Sequence, residues 1–317
     1  MNTDRIDRAR GALLGLATGD AVGTVVEFRC RDSFPEVTDM VGGGPFRLNP
    51  GEFTDDTSMA LCLGASLVAR GFDPQDQMLR YQDWAQNGYM SSNGRCFDIG
   101  GTVSQALRQF QRYGSPLCGS TDPHSAGNGC IMRLAPVPIR YLDDMKLAVQ
   151  YCGEQSRTTH GAEECIAASR LFGEMLVRAL NGADKEAVLA APEHAGALPP
   201  KLAMIAAGDY RTKSRAQIKG SGYVVESLEA SLWCFQQTGN YRDAVLMATN
   251  LGDDADTTAA ITGQIAGAFY GEAGIPQEWL KKLAMGEMIG RMAEKLLPAG
   301  KDSPSPQHSP PAVIFMS

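Results

Sequence analysis

Two stretches carry oxygen donors too densely for an ordinary surface. Asp253, Asp254, Asp256, Thr257 and Thr258 fall within six positions, ahead of a small-residue run with Gly263, Gly267 and Gly271 at helical spacing. Far upstream, Thr54, Asp55, Asp56, Thr57 and Ser58 precede a second apolar run, 59–64. Asp and Thr just before a helix are ordinary caps, because their oxygens accept the orphan N–H bonds of the first turn. Capping does not need three acids. The like charges of 253–256 repel one another and become cheap only around a cation. Asp254 and Asp256 can share an ion, with Thr257 adding a hydroxyl oxygen. Such hard donors select Mg²⁺ or Mn²⁺ over metals that prefer thiolate or imidazole, and the spacing does not match the twelve-residue Ca²⁺ loop. The two acidic helix starts are therefore expected to converge on one divalent-metal site.

Helices must position them. The segment 5–23 carries Gly11, Gly15, Gly19 and Gly23 four apart, a bare ridge on one helix face. Each glycine costs about 1 kcal/mol against alanine in a helix, so close packing must repay the loss. The Gly263, Gly267, Gly271 ridge has the same character and is expected to pack on the first. Between them, 25–50 reads as a long loop with a short strand near 35–41, delivering Glu27 on one side and the Thr54 cluster on the other. Apolar periodicity predicts helices over 57–70, 74–87, 101–113, 161–180, 221–237, 241–250, 256–270 and 276–297, and a helical face at Met145, Ala148, Val149 and Cys152. Strand-like alternation is almost absent. The expected fold is all-α, a compact single-domain orthogonal helical bundle over 1–298, with a flexible Pro/Ser-rich tail over 299–317. Ser125, Gly127, Asn128 and Gly129 form a glycine loop that lacks the lysine of a P-loop. It reads either as a solvent loop or as a ligand loop whose backbone N–H groups reach phosphate.

Composition excludes several functions. A formal charge of -7 and a pI near 5.2 argue against general nucleic-acid or anionic-membrane binding. Eight cysteines show no CxxC pair and the first ten residues are polar, so reduced thiols in a cytoplasmic, monomeric protein are expected. Four histidines without zinc spacing make a structural zinc site improbable. No apolar run reaches the roughly 20 residues of a membrane span.

The ordered set 11–21, Glu27, Thr54 to Thr57, Asp98 to Gly100, Gly127 to Gly129, Met132 to Pro136 and Asp254 to Thr257 resembles the ADP-ribosylglycohydrolases over roughly 5–297. That resemblance implies an all-α fold with two Mg²⁺ or Mn²⁺ ions in a central cleft. Its implied substrate is an ADP-ribosylated protein or a small ADP-ribose conjugate. By matched position, Thr54, Asp55 and Asp56 would hold the metals from one side and Asp254, Asp256 and Thr257 from the other. Glu27 matches the glutamate near the metal and the scissile bond, and Asp98 the aspartate lining the substrate side. Ser125 to Arg133, including Gly127, Asn128, Gly129 and Met132, would contact pyrophosphate and adenosine. His160 matches a Thr-His step near the nucleotide, and Tyr223 would stack on adenine, though an aromatic opening a helix is more often core. Asp253 stands apart, as a capping or supporting group.

The expected chemistry is hydrolysis at an anomeric carbon, with Glu27 as principal acid/base and Asp98 as helper. Arginine is the favoured acceptor, since the chain most resembles that branch. Two rivals share the same acids. One is a divalent-metal phosphohydrolase, told apart by its product, inorganic phosphate. The other is a non-catalytic, structural member of the fold like the eye-lens crystallins.

Overall fold

A computed structural model describes residues 3–298. Fourteen α-helices, with six short 3₁₀ turns between them, make up its regular structure: α1 (Thr3–Gly23), α2 (Asp55–Arg70), α3 (Pro74–Asn87), α4 (Gly101–Tyr113), α5 (Pro136–Arg140), α6 (Met145–Ser156), α7 (Glu163–Leu180), α8 (Lys185–Val188), α9 (Pro200–Ala207), α10 (Val224–Gln237), α11 (Tyr241–Thr249), α12 (Ala255–Tyr270), α13 (Gln277–Lys282) and α14 (Gly286–Leu296). No strand forms among the described residues, so the all-α expectation holds. The expected tail, 299–317, lies outside them.

The pair α1 and α12 is the spine. Built onto α1, a Cβ at Gly11, Gly15, Gly19 or Gly23 would meet the carbonyl oxygen of Gly267, Gly263, Ala259 or Ala255 at 2.3, 2.3, 2.3 or 2.5 Å. Residue numbers rise on one helix as they fall on the other, so the two run antiparallel, backbone against backbone. The two expected ridges do pack together. Gly271 closes the seam from just past α12: a Cβ at Gly11 would lie 2.6 Å from its carbonyl carbon, but it ends the helix with φ 75, a turn conformation that glycine adopts freely. Across this seam lies Tyr241, fully buried at the start of α11, whose hydroxyl donates to the Gly15 carbonyl at 2.7 Å. Buried apolar side chains from α1 through α14 form one contiguous cluster around the spine.

Elsewhere, the structure corrects the sequence reading in particular places. The segment 35–41 is irregular, not a strand; the nearest extended pairing is an isolated bridge between Gly43 and Leu48. Asn250 explains why: its side chain takes up both the N–H and the C=O of Val37, so no neighbouring strand is needed. The single helix expected over 276–297 is two, broken where Leu283 turns extended and Met285 adopts φ 57. There the Ala284 N–H donates to Gly51 O rather than continuing the helix. All eight cysteines are free thiols. No helix among the described residues is long and apolar enough to cross a membrane.

Candidate functional site

The acidic helix starts are not capped by their own N-cap residues. Neither Thr54 ahead of α2 nor Asp254 ahead of α12 makes a side-chain cap. Both helices are capped from the region of α1 instead. Asp20, buried in the last turn of that helix, accepts from the Thr54 N–H at 3.0 Å and its hydroxyl at 2.9 Å, and from the Thr57 N–H at 3.1 Å and its hydroxyl at 2.6 Å. Glu27 Oε2, just past α1, accepts from the N–H groups of Ala255 at 2.8 Å and Asp256 at 3.2 Å. A carboxylate at a helix N-terminus is favoured by the exposed N–H groups and the macrodipole. Asp55, Asp56 and Asp254 are thereby released from capping, while Asp256 Oδ1 still accepts from the adjacent Thr257 N–H at 2.6 Å. Thr54 spends its hydroxyl proton on Asp20, which leaves only the lone pairs of that oxygen for any cation.

Both starts come together. Asp55, Asp56, Asp256 and Thr257 are buried, and the Thr257 hydroxyl donates to Asp56 Oδ1 at 3.3 Å, joining α12 to α2. Carboxylate oxygens of Glu27, Asp254 and Asp256 lie within 4.8 Å of one another. Asp98 reaches the same place from the loop before α4, with φ 58. Such crowding is electrostatically unfavourable as it stands. Burial, then the neighbouring Asp254, pushes the Glu27 carboxyl up to about 8. Burial, with Asp20 and Asp254 adding repulsion, pushes Asp98 up to about 7. Asp55, Asp56 and Asp256 are displaced upward too, first by burial and then by their acidic neighbours. Buried in the midst of this, Asp56 Oδ2 has no hydrogen-bond partner. An unpartnered buried carboxylate oxygen amid acids suits a divalent cation with hard oxygen ligands. The donor set therefore fits Mg²⁺ or Mn²⁺.

Of the residues singled out in the sequence, Glu27, Asp55, Asp98, Gly127, Asn128, Gly129, Met132, His160, Asp254, Asp256 and Thr257 line one cleft of about 360 Å³. Thr54 and Asp56 lie behind it. Ser125 and Tyr223 do not line it; they border an adjoining hollow of about 630 Å³ that shares Thr102, Gly127 and Gly222 with the first. There the Tyr223 hydroxyl donates to Glu164 at 2.6 Å, and Lys201 sits 4.8 Å from the ring centre, over one of its faces. Asp253 is exposed and caps nothing with its side chain; its backbone bonds to Phe28 and Arg29.

The glycine loop is bound into this cleft rather than left in solvent. Asn128 donates from Nδ2 to Asp254 Oδ2 at 2.7 Å, and its backbone N–H donates to Gly222 O at 3.0 Å. His160 packs beneath: a Cβ at Gly129 would lie 2.7 Å from its Cε1, so only glycine leaves the ring room. The His160 tautomer follows from hydrogen-bond accounting. Fully buried Arg133 donates to Thr159 Oγ1 at 2.7 Å, and that hydroxyl lies 2.9 Å from His160 Nδ1. A guanidinium only donates, and among the described residues Nδ1 is the acceptor within reach of that buried hydroxyl, so the hydroxyl proton goes to Nδ1 and the ring carries its own proton on Nε2. Burial holds His160 neutral, with its pKa pushed down to about 3. Sequence reasoning gave Asp20 no role, and it placed Arg133 among the ligand contacts, whereas that side chain is fully buried and bonded to Gln155, the Gly129 carbonyl and Thr159. The signal for Asp20 was present, a single carboxylate in the stretch 11–23, which is otherwise glycine, alanine, leucine, threonine and valine.

Comparison with known proteins adds to this geometry. The family model for ADP-ribosylglycohydrolase matches residues 1–305. Two relatives named ADP-ribosylarginine hydrolase Tri1 are similar over most of the chain. The Serratia proteamaculans protein is 46% identical over 295 residues, 93% of this chain and 80% of its own. The Pseudomonas putida protein is 49% identical over 292 residues, 92% of this chain and 78% of its own. An ADP-ribosyl-[dinitrogen reductase] glycohydrolase from Rhodospirillum rubrum is 34% identical, covering 88% of this chain and 91% of its own. A solved structure described as an ADP-ribosylglycohydrolase-related protein complex superposes with a TM-score of 0.83 at 42% identity, over 92% of this chain and 98% of that one.

Proposed function

The chain belongs to the ADP-ribosylglycohydrolase family, and from that premise we propose that it hydrolyses the bond between ADP-ribose and an arginine side chain. Water adds to the anomeric carbon, the carbon–nitrogen bond breaks, and the departing guanidine nitrogen takes up a proton. Free ADP-ribose and unmodified arginine result. The observation that carries this proposal is the meeting of both acidic helix starts with Glu27 in one cleft, around a buried Asp56 oxygen that has no partner. Arginine is favoured because the two Tri1 relatives, 46% and 49% identical, bear that acceptor in their names.

Thr54, Asp55 and Asp56 would hold Mg²⁺ or Mn²⁺ from α2, and Asp254, Asp256 and Thr257 from α12. When bound, such ions supply positive charge that anchors ribose hydroxyls and acidifies water. Glu27 is the acid/base group. Its Oε2 is fixed by two α12 N–H groups, so the carboxyl is held in one orientation while Oε1 exchanges the proton. Asp98, across the same cleft, is the second carboxyl. The Nε2–H of His160 presents a neutral donor to the phosphate end of the ligand, Asn128 spends its donors on Asp254, Ser227 and the Gly222 carbonyl and so fixes the Asp254 carboxylate, and Tyr223 borders the hollow for the nucleoside.

Replacing Asp256 by Ala tests the assignment with two readouts. Titration with Mn²⁺ should reveal weakened metal binding, and release of ADP-ribose from ADP-ribosyl-arginine should stop, while circular dichroism keeps the wild-type helical signal. Full activity with undiminished Mn²⁺ affinity would remove Asp256 from the site.

A further inference from the structure

Phe28 directly follows Glu27, and its position is paid for in backbone strain. Its φ is 62 and its side chain is 67% exposed, at the rim of the acid cleft. A bulky residue at positive φ is uncommon and strained, so the surrounding structure must enforce it. A two-bond clasp does so. The Phe28 N–H donates to Asp253 O at 2.8 Å, and the Asp253 N–H returns to Arg29 O at 2.8 Å. Asp253 itself has φ 60. The clasp ties the Glu27 loop to the residue before Asp254 and turns the Phe28 ring outward.

Two further rings join it from separate loops. Phe46 meets Phe28 edge-on at 6.2 Å, and Phe97 meets Phe46 at 5.4 Å. Phe97 directly precedes Asp98, which lines the same cleft. The aromatic group therefore stands on the Glu27 and Asp98 side, whereas Asn128 and His160 belong to the glycine-loop side. Five carboxylates line this cleft, those of Glu27, Asp55, Asp98, Asp254 and Asp256, and no lysine or arginine does. An open aromatic face beside anionic walls suits a planar, delocalised cation, because the guanidinium stacks on aromatic faces and is weakly hydrated.

We propose that Phe28, supported by Phe46 and Phe97, is a specificity-determining residue that receives the guanidinium of the arginine-linked substrate. This rests on the arginine hydrolase activity proposed above. The clasp keeps the ring beside Glu27, so the stacked guanidinium lies next to the group that serves its departure.

Steady-state hydrolysis of ADP-ribosyl-arginine by the wild type and by Phe28→Ala, Phe28→Leu and Phe28→Trp tests it, with ADP-ribose affinity measured by calorimetry and folding by thermal melts. Loss of a cation–π contact should raise KM about 5- to 30-fold in the Ala and Leu variants. The Trp variant should keep KM near the wild-type value, and all three should bind ADP-ribose as the wild type does. A wild-type KM in Phe28→Ala, or in Phe28→Leu, would overturn the assignment of the ring while leaving the hydrolase activity standing. So would an ADP-ribose affinity that falls in step with KM. Absence of turnover by the wild type would overturn both, since no guanidinium would then be delivered to the ring.

Discussion

Gly23 ends α1 where that helix meets the first turn of α12. A Cβ at Gly23 would lie 2.5 Å from both the Ala255 carbonyl oxygen and the Asp256 Cα, where real Cβ contacts essentially never fall below 3.0 Å. Both atoms are backbone and cannot swing aside. Gly23→Ala must therefore push the start of α12 away by roughly half an ångström, at the residue that carries a site carboxylate. Overpacking of this kind costs about 1–3 kcal/mol, a fall of a few degrees in Tm for a chain of this size. Catalysis should suffer more, because a misplacement near 1 Å costs about 100-fold; a ten- to hundredfold loss in kcat is expected. Gly267→Ala is the matched control. Its Cβ would lie 1.9 Å from Gly11 O, at the other end of the seam and roughly 16 Å along α12 from Asp256. It should lose at least as much stability and far less activity. Thermal unfolding and hydrolysis of ADP-ribosyl-arginine, measured well below each Tm, separate the two. A Gly23→Ala variant with the wild-type rate, or equal activity losses in both variants, would refute the idea that the seam sets the acids in place.

Three other perturbations follow from the same contacts. Asp20→Ala strips the acceptor from four buried donors on Thr54 and Thr57 and should cost about 3–5 kcal/mol in urea unfolding, together with weaker Mn²⁺ binding; a loss under about 0.5 kcal/mol would contradict it. Thr159→Val removes the hydroxyl that donates to His160 Nδ1, so nitrogen NMR should register loss of the single Nε2–H form and ADP-ribose affinity should drop about tenfold, whereas Thr159→Ser should preserve both. His160 is held neutral with its pKa near 3 against an ordinary 6.5, so below about pH 6.5 the unfolded chain binds a proton that the folded one refuses. Its contribution to stability is present above that pH and declines as pH falls towards 3, by up to about 1.4 kcal/mol per unit; His160→Gln should flatten this part of the stability profile, and an unchanged slope would count against a buried neutral ring.

Local signals explain what the sequence revealed. The helices at 74–87 and 101–113 coincide with α3 and α4 because each ends on a left-handed glycine, Gly88 or Gly114, and apolar periodicity marks their buried faces. The glycine ridges could be paired because four-residue spacing has few uses outside close helix packing. What escaped depended on partners distant in the chain. Asp20 is ordinary until Thr54 and Thr57 fold onto it from 34 and 37 residues away. Glu27 could be matched to a catalytic role, but its bond to the start of α12 spans 228 residues. The capping explanation for the acids failed for the same reason, since both helix starts borrow their caps from elsewhere. The break at Leu283 to Met285 was hidden because α13 and α14 share an apolar period that reads through it, while the Ala284 bond to Gly51 decides the matter.

The central claim is that this cleft releases ADP-ribose from arginine. Its most direct test is product analysis by mass spectrometry after incubation with ADP-ribosyl-arginine, ADP-ribosyl-serine and O-acetyl-ADP-ribose, each with Mg²⁺ and with chelator. The expected result is intact ADP-ribose from the arginine conjugate, dependent on Mg²⁺, with the other two conjugates turned over far more slowly. Inorganic phosphate as the product, or binding of ADP-ribose with no turnover of any conjugate, would contradict it.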